Sequence, residues 1–247
     1  MDVDRKPPQG RFGGKNMKAL VTGGGGFLGQ AICAQLRDRG HAVRALNRTR
    51  HAALDQLGVE QHPGDITNLD AVVAASEGVD AIVHTAGKVG AWGPVEEYYD
   101  ANVRGTDNVL AACELNGIRK LVFTSSPSAI RGGRGDLEGV DESVPYPPRF
   151  GTPYAATKAL AEQRVLAANG AELATVLLRP QFIWGPGDPN LMPRIVARAR
   201  RAPAPDRRRR KEDRHGLYRQ CSRGACACAG EARYRRAGCR QGVFHQQ

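Results

Sequence analysis

The chain has 247 residues, 41% of them hydrophobic and only 6% aromatic, which is enough for one large α/β domain or two small ones with a sizeable core. A small disulfide scaffold and a fully disordered chain are excluded, and no run approaches the ~20 apolar residues of a membrane helix. The formal net charge of +11 is unevenly spread, because residues 201–247 hold 13 of the 36 Lys and Arg but only 4 of the 25 Asp and Glu, together with four of the six cysteines. The chain therefore reads as a nearly neutral body followed by a basic tail.

Residues 1–16 form a polar leader that is expected to be disordered. It lacks the apolar stretch of a signal peptide, which points to a cytoplasmic chain. Met17–Thr22 is a short apolar run that predicts a buried first strand. Glycines follow it, and Phe27, Leu28, Ala31, Ile32 and Leu36 then recur at helical spacing. Ala42–Leu46 predicts a second strand, Val59–Gly64 a third and Ala81–Val83 a fourth. A long helix is expected from Val95 to Leu115. Lys120–Phe123 predicts a fifth strand, Tyr154–Ala168 a helix and Ala174–Leu178 a sixth strand. Strands separated by helical stretches imply an α/β fold, a doubly wound parallel sheet of the Rossmann kind, over residues 17–200. Such sheets bind ligands at the carboxyl ends of their strands.

The first strand runs into Thr22-Gly23-Gly24-Gly25-Gly26-Phe27-Leu28-Gly29. Gly23, Gly26 and Gly29 have the spacing that lets a backbone turn tightly and approach a pyrophosphate, while the helix after them aims unpaired N–H groups at the phosphate charge. An acidic residue for the cofactor ribose is expected at the end of the second strand. Asn47-Arg48 stands there instead, and Arg48 suits a 2′-phosphate, which favours NADP over NAD. Gly64-Asp65-Ile66 ends the third strand, where Asp65 can accept from an adenine amino group. Tyr154 and Lys158 lie four residues apart and share one helical face. A free phenol is a poor acid–base catalyst at neutral pH; a neighbouring ammonium and a cationic nicotinamide would favour the phenolate. Thr124-Ser125-Ser126-Pro127-Ser128 ends the fifth strand, where a hydroxyl can hold a substrate carbonyl.

The stretches TGGGGFLG, GDI, HTAGK, NVRGTDNVL, VFTSSPS, YAATK and LLRPQFIWGPGD resemble the extended short-chain dehydrogenase/reductase superfamily, also called the NAD-dependent epimerase/dehydratase superfamily. Within it, the chain is similar to the 3β-hydroxysteroid dehydrogenase-like branch, and KVGAWG, TSSPS and RPQFIWGPGDP look closest to the bacterial 2-alkyl-3-oxoalkanoate reductases. The resemblance implies that Tyr154 exchanges the proton, that Lys158 binds the nicotinamide ribose and lowers the phenol pKa, and that Ser126, with Ser125 as the fallback, holds the reacting oxygen. It implies that Gly23, Gly26 and Gly29, with Phe27 and Leu28, cradle the pyrophosphate, and that Asp65 and Ile66 flank the adenine. His84, Ala86 and Lys88 fall where the fourth strand meets the cofactor, with His84 read first as a packed core residue. Asn102 is expected to open the long helix and hold local backbone.

The resemblance also implies a hydride exchange between NAD or NADP and a hydrophobic 3-hydroxy or 3-oxo substrate, which suits the apolar loop Val89–Gly93, unless that loop simply packs beside the sheet. Pro127-Ser128 occupies the place of the Asp-Glu acid pair of the superfamily's dehydratases, which argues against dehydration. A nucleotide-sugar epimerase and a catalytically dead dinucleotide-binding remnant stand as alternatives. A homodimer is held open.

The tail is expected to be disordered, since beyond Arg201 only Leu217, Val243 and Phe244 are large aliphatics or Phe. Arg207–Lys211 could serve a nucleic-acid arm, but no specific nucleic-acid partner is expected. Cys221, Cys226 and Cys228 lack the paired spacing of metal sites, so no metal is expected. Back-translation of Arg207–Ala229, read one nucleotide later, allows VGDGKKIDTVYIDNAAGAHAHA, and Cys239–Gln247 allows AGRACFISN; both resemble the family's continuation. The expectation is a reading-frame shift near Arg200, loss of most of the substrate-binding region, and weak or absent turnover.

Overall fold

The computed structural model describes residues 16–201 other than Ala91, residues 133–136, Glu138 and Asn190. Strands β1 (Lys18–Thr22), β2 (Ala42–Asn47), β3 (Glu60–Pro63), β4 (Ala81–His84), β5 (Lys120–Thr124) and β6 (Ala174–Leu178) form one sheet in the order β3-β2-β1-β4-β5-β6. Every neighbouring pair is parallel. The doubly wound sheet expected from the sequence is therefore present, and each predicted strand lies within one or two residues of its place.

Burial explains why these runs are strands. Side chains of a strand alternate between faces, so Ala19 and Val21 of β1 enter one apolar cluster while Leu20 enters the other. The first cluster is closed by α1 (Phe27–Asp38) and α2 (Ala52–Gln56), through Ile32, Cys33, Leu36 and Leu54. The second is closed by α3 (Leu69–Ser76), by α5 (Gly105–Leu115) and by α7 (Pro153–Ala167), through Val72, Val109, Ala112, Ala161 and Val165. Leu20, Ile82 and Leu121 are fully buried, and each such side chain contributes about 1.5–3 kcal/mol.

Two helical expectations need correction. The helix from Val95 to Leu115 is not uniform: α4 (Val95–Tyr99) passes through a wide π-turn at Asp100–Arg104 before α5 begins. Asn102 therefore lies inside that turn rather than opening a helix. The short α2, α3 and α6 (Ser128–Arg131) have too few residues for a helical period to register in the sequence. By contrast α7 starts where its chemistry says: the Thr152 side chain accepts from the Ala155 amide and Pro153 takes the first position. The last described helix is α8 (Leu191–Arg201), close to the expected start of the substrate region. Beyond β1 the chain turns toward β2, and beyond β4 toward β5. The crevice between these divergent connections is where a doubly wound sheet holds its ligand.

Candidate active site

The crevice begins at the loop from β1 to α1. Gly23 has φ +70°, and a Cβ on it would stand 2.9 Å from the Ala86 backbone. A Cβ on Gly29 would stand 2.1 Å from the Gly23 carbonyl oxygen. Only glycine lets these segments meet. The Gly26 amide donates to the Gly23 carbonyl at 2.9 Å. No side chain caps α1 and its first turn, which holds the half-buried Phe27 and Leu28, contains no acidic residue. Uncapped amides with no competing carboxylate fit the pyrophosphate of a dinucleotide.

At the end of β2 the Asn47 side chain accepts from the Gly25 amide at 2.7 Å, while its Nδ2 is buried without a partner. A buried donor of this kind suits an acceptor on a ligand. Arg48 is exposed beside it. The Asp65 carboxyl is held below its ordinary range chiefly by the Thr67 amide, with the Arg48 charge acting in the same direction. Because β2 and β3 run parallel with Asn47 beside Pro63, Arg48 and Asp65 follow at the same end of the sheet. Asp65 Oδ1 accepts from both the amide and the hydroxyl of Thr67. Ile66 lies against Gly105. Arg50 is ion-paired with Asp55 at 2.9 Å. His51, which the sequence does not single out, lays its imidazole on Gly25, where a Cβ would be 2.2 Å from the ring.

The floor of the crevice is a hydrogen-bonded file. Thr22 Oγ1 meets His84 Nδ1 at 2.7 Å, and His84 Nε2 meets Thr106 Oγ1 at 3.1 Å. Burial lowers the His84 pKa to about 3, and the Lys158 charge acts in the same sense. His84 is thus the neutral packed residue first read for it. The half-buried Ala86 donates its amide to Thr22 Oγ1 at 3.3 Å. Lys88 donates from its ammonium to Glu97 at 2.5 Å. Its backbone is clamped by Asn102, which accepts from the Lys88 amide at 2.8 Å and donates to the Lys88 carbonyl and to Thr157 Oγ1. The local-backbone role expected of Asn102 thus extends to a loop 14 residues away in the chain.

The residues expected to react sit on the other side. Lys158 follows Tyr154 by one turn of α7, donates to the Thr124 carbonyl at 2.6 Å and stands 4.6 Å from the centre of the Phe123 ring. A Cβ on Gly87 would be 3.8 Å from Lys158 Nζ, so the β4 loop and this lysine are neighbours. Burial lowers the Lys158 pKa to about 8, opposed by the charge of Glu162. The Tyr154 phenol is raised above its ordinary value by burial, opposed by a hydrogen bond with Ser126. In the protein alone, burial outweighs what lowers the phenol. Ser126 is brought to Tyr154, whereas the fallback Ser125 is turned away and donates to Glu162 at 2.5 Å.

Glu162 is the largest omission of the sequence reading. It is fully buried and also accepts from Tyr146 at 2.7 Å and from Arg179. The available signal was its spacing, since Tyr154, Lys158 and Glu162 recur every four residues on one face of α7. The loop at Val89–Gly93 does not pack beside the sheet: Val89 is 67% exposed and Trp92 83% exposed, and the loop is tied back by Tyr98, whose hydroxyl donates to the Trp92 carbonyl. The leader before Asn16, and in the tail the basic run, the cysteines and the proposed shift of frame, lie outside the described residues. Among the described residues no helix is long and apolar enough to cross a membrane, and no group of three metal-binding side chains occurs.

Comparison with known proteins agrees with this geometry. Residues 20–205 match the model of the 3-beta hydroxysteroid dehydrogenase/isomerase family. A 2-alkyl-3-oxoalkanoate reductase of Stenotrophomonas maltophilia is 56% identical over 74% of this chain and 56% of its own length. A 3 beta-hydroxysteroid dehydrogenase/Delta 5-->4-isomerase of Mycobacterium tuberculosis is 39% identical over 72% of this chain and 50% of its own. The chain thus spans about half the length of these curated relatives. Among solved structures, a UDP-glucose 4-epimerase of Thermus thermophilus in complex with NAD superimposes with a TM-score of 0.64, at 32% identity over 73% of this chain and 60% of that one. With its glycine-lined crevice, its Tyr154–Lys158 pair and a family match over three-quarters of its length, the chain belongs to the 3-beta hydroxysteroid dehydrogenase/isomerase family.

Proposed function

We propose that this chain holds the cofactor-binding and catalytic residues of an NAD(P)-dependent oxidoreductase that reduces or re-forms the ketone of a hydrophobic 3-oxo/3-hydroxy substrate, with NADP favoured. The observation that carries this reading is a buried Lys158, held by the Thr124 carbonyl, one helical turn from Tyr154, with the Ser126 side chain acting on the same phenol. The nicotinamide supplies the hydride when it is bound. The chain's residues do the rest. Tyr154 gives its phenolic proton to the oxygen of the ketone, Ser126 donates a hydrogen bond to the same oxygen, and Lys158 places a positive charge behind the phenol. With its pKa lowered to about 8, Lys158 is cationic in most molecules at neutral pH.

Support for NADP comes from the end of β2, where Asn47 and Arg48 replace an acid and Arg48 is exposed. Support for an apolar substrate comes from Val89 and Trp92 on the loop after β4, and from the names of the relatives. Pro127-Ser128 offers no acid pair for dehydration.

The test is reduction of a long-chain 3-oxo ester, followed by NADPH absorbance, with UDP-glucose epimerisation assayed in parallel. Tyr154→Phe is expected to lower the reduction rate by about 10²–10⁴-fold, while NADPH affinity stays within about twofold. A reduction rate indifferent to Tyr154→Phe overturns the reading. Epimerisation without reduction supports the epimerase instead. NADPH binding with neither reaction leaves a dinucleotide-binding remnant.

A further inference from the structure

We propose that Ser128 is a positioning residue: it fixes the Ser126 hydroxyl as a hydrogen-bond donor toward Tyr154 and the reacting oxygen. The proposal rests on the catalytic roles given above to Ser126 and Tyr154. Ser128 sends two bonds to one atom. Its backbone amide meets Ser126 Oγ at 3.3 Å and its hydroxyl meets the same oxygen at 2.9 Å. A serine hydroxyl has one hydrogen to give and two lone pairs with which to accept. With both lone pairs engaged by Ser128, the hydrogen of Ser126 can only be donated onward.

The ionised states require the same polarity. Neither a tyrosinate nor an alkoxide has a hydrogen, so Ser126 must be the donor to either, and its own oxygen must then accept from Ser128. A chain of hydrogen bonds running in one direction strengthens each member. Ser128 thereby makes Ser126 a stronger donor where negative charge develops, without touching the substrate.

Lys158, Glu162, Asp100 and Glu97 each have a partner, and Arg131 on α6 is exposed. On α7, Lys158 donates to Thr124, and Glu162 is held by Arg179, Tyr146 and Ser125. In the π-turn Asp100 is paired with Arg104, and on α4 Glu97 with Lys88.

The test replaces Tyr154 by 3,5-difluorotyrosine, whose phenol ionises near neutral pH, and follows its titration by fluorine resonance in the otherwise unaltered chain. Ser128→Ala is expected to raise the midpoint by about 0.3–0.5 pH unit. Ser128→Thr, which keeps the hydroxyl, is expected to leave it at the parent value, and Ser128→Val, of the same shape without the hydroxyl, to raise it as alanine does. The Thr and Val pair decides the matter if the alanine variant loses its fold. An unmoved midpoint in Ser128→Ala or Ser128→Val, or an equal rise in Ser128→Thr, overturns the proposal. The titration needs neither cofactor nor turnover. A chain that reduces no ketone therefore leaves this result standing, and an unmoved midpoint in an active chain removes Ser128 alone.

Discussion

The two halves of the sheet solve different problems by different means. On the side of β1, β2 and β3 the crevice is shaped by backbone. Gly23, Gly25 and Gly29 admit close approaches that no side chain allows, and the charged pairs there, Arg50–Asp55 and Arg44–Glu60, keep their carboxylates toward solvent. On the side of β4, β5 and β6 the crevice is shaped by the buried polar side chains of Lys158, Glu162, Arg179 and Ser125, with the half-buried Tyr146 bonded to Glu162. Recognition of a phosphate chain needs only aligned amides. Proton exchange needs ionisable groups taken out of water and held at fixed protonation, and such groups must be paired.

The seam between the halves should show the largest effect. His84 joins β4 to β1 through Thr22 and is neutral because burial has lowered its pKa from 6.5 to about 3. Below about pH 6.5 the unfolded chain binds a proton that the folded chain refuses. Stability should therefore fall as the pH drops from about 6.5 to about 3, by on the order of 4–5 kcal/mol from this group. Melting curves across that range should show a shallower slope in His84→Gln; equal slopes would mean the histidine does not titrate on unfolding.

The half that holds Tyr154 and Lys158 is next. Glu162→Ala strips Arg179 of its buried partner, and the expected cost is about 3–5 kcal/mol, seen as a drop of about 10 °C in Tm. A variant that melts like the parent would erase the distinction drawn between the halves.

Smaller effects belong to the glycine side. Arg48→Ala should weaken NADPH binding about tenfold by removing a charge-assisted contact with the 2′-phosphate and leave NADH binding unchanged, which isothermal titration can measure. Arg50→Ala breaks an exposed pair and should leave both Tm and cofactor affinity unmoved. A loss of NADPH affinity in this variant would transfer the phosphate from Arg48 to Arg50.

Much of the architecture was legible because period and punctuation agreed. Runs such as Ala19-Leu20-Val21 mark strands buried on both faces, and the glycines at 23, 26 and 29 mark the turn into a helix. Tyr154 and Lys158 were legible from their spacing. Ser125 and Ser126 were not separable, since adjacent residues at the end of a strand point opposite ways and only the fold puts Glu162 beneath one of them. Glu162 itself breaks the expectation that a helical carboxylate faces water. His51 gave no signal, because its contact is with a glycine 26 positions earlier in the chain.

The π-turn at Asp100–Arg104 accommodates one residue more than ordinary helical winding. Removing that residue would return the segment to ordinary winding and shift Asn102, whereas adding another would rotate everything before it by roughly 100° about the axis relative to α5. Tyr98, which fastens the Val89–Gly93 loop, and Asn102, which fastens Lys88, lie on opposite sides of the cut or within it. Loop geometry and cofactor-side geometry are therefore coupled through helix phase. Insertions in this segment should be barred, while point substitutions on its solvent face remain free.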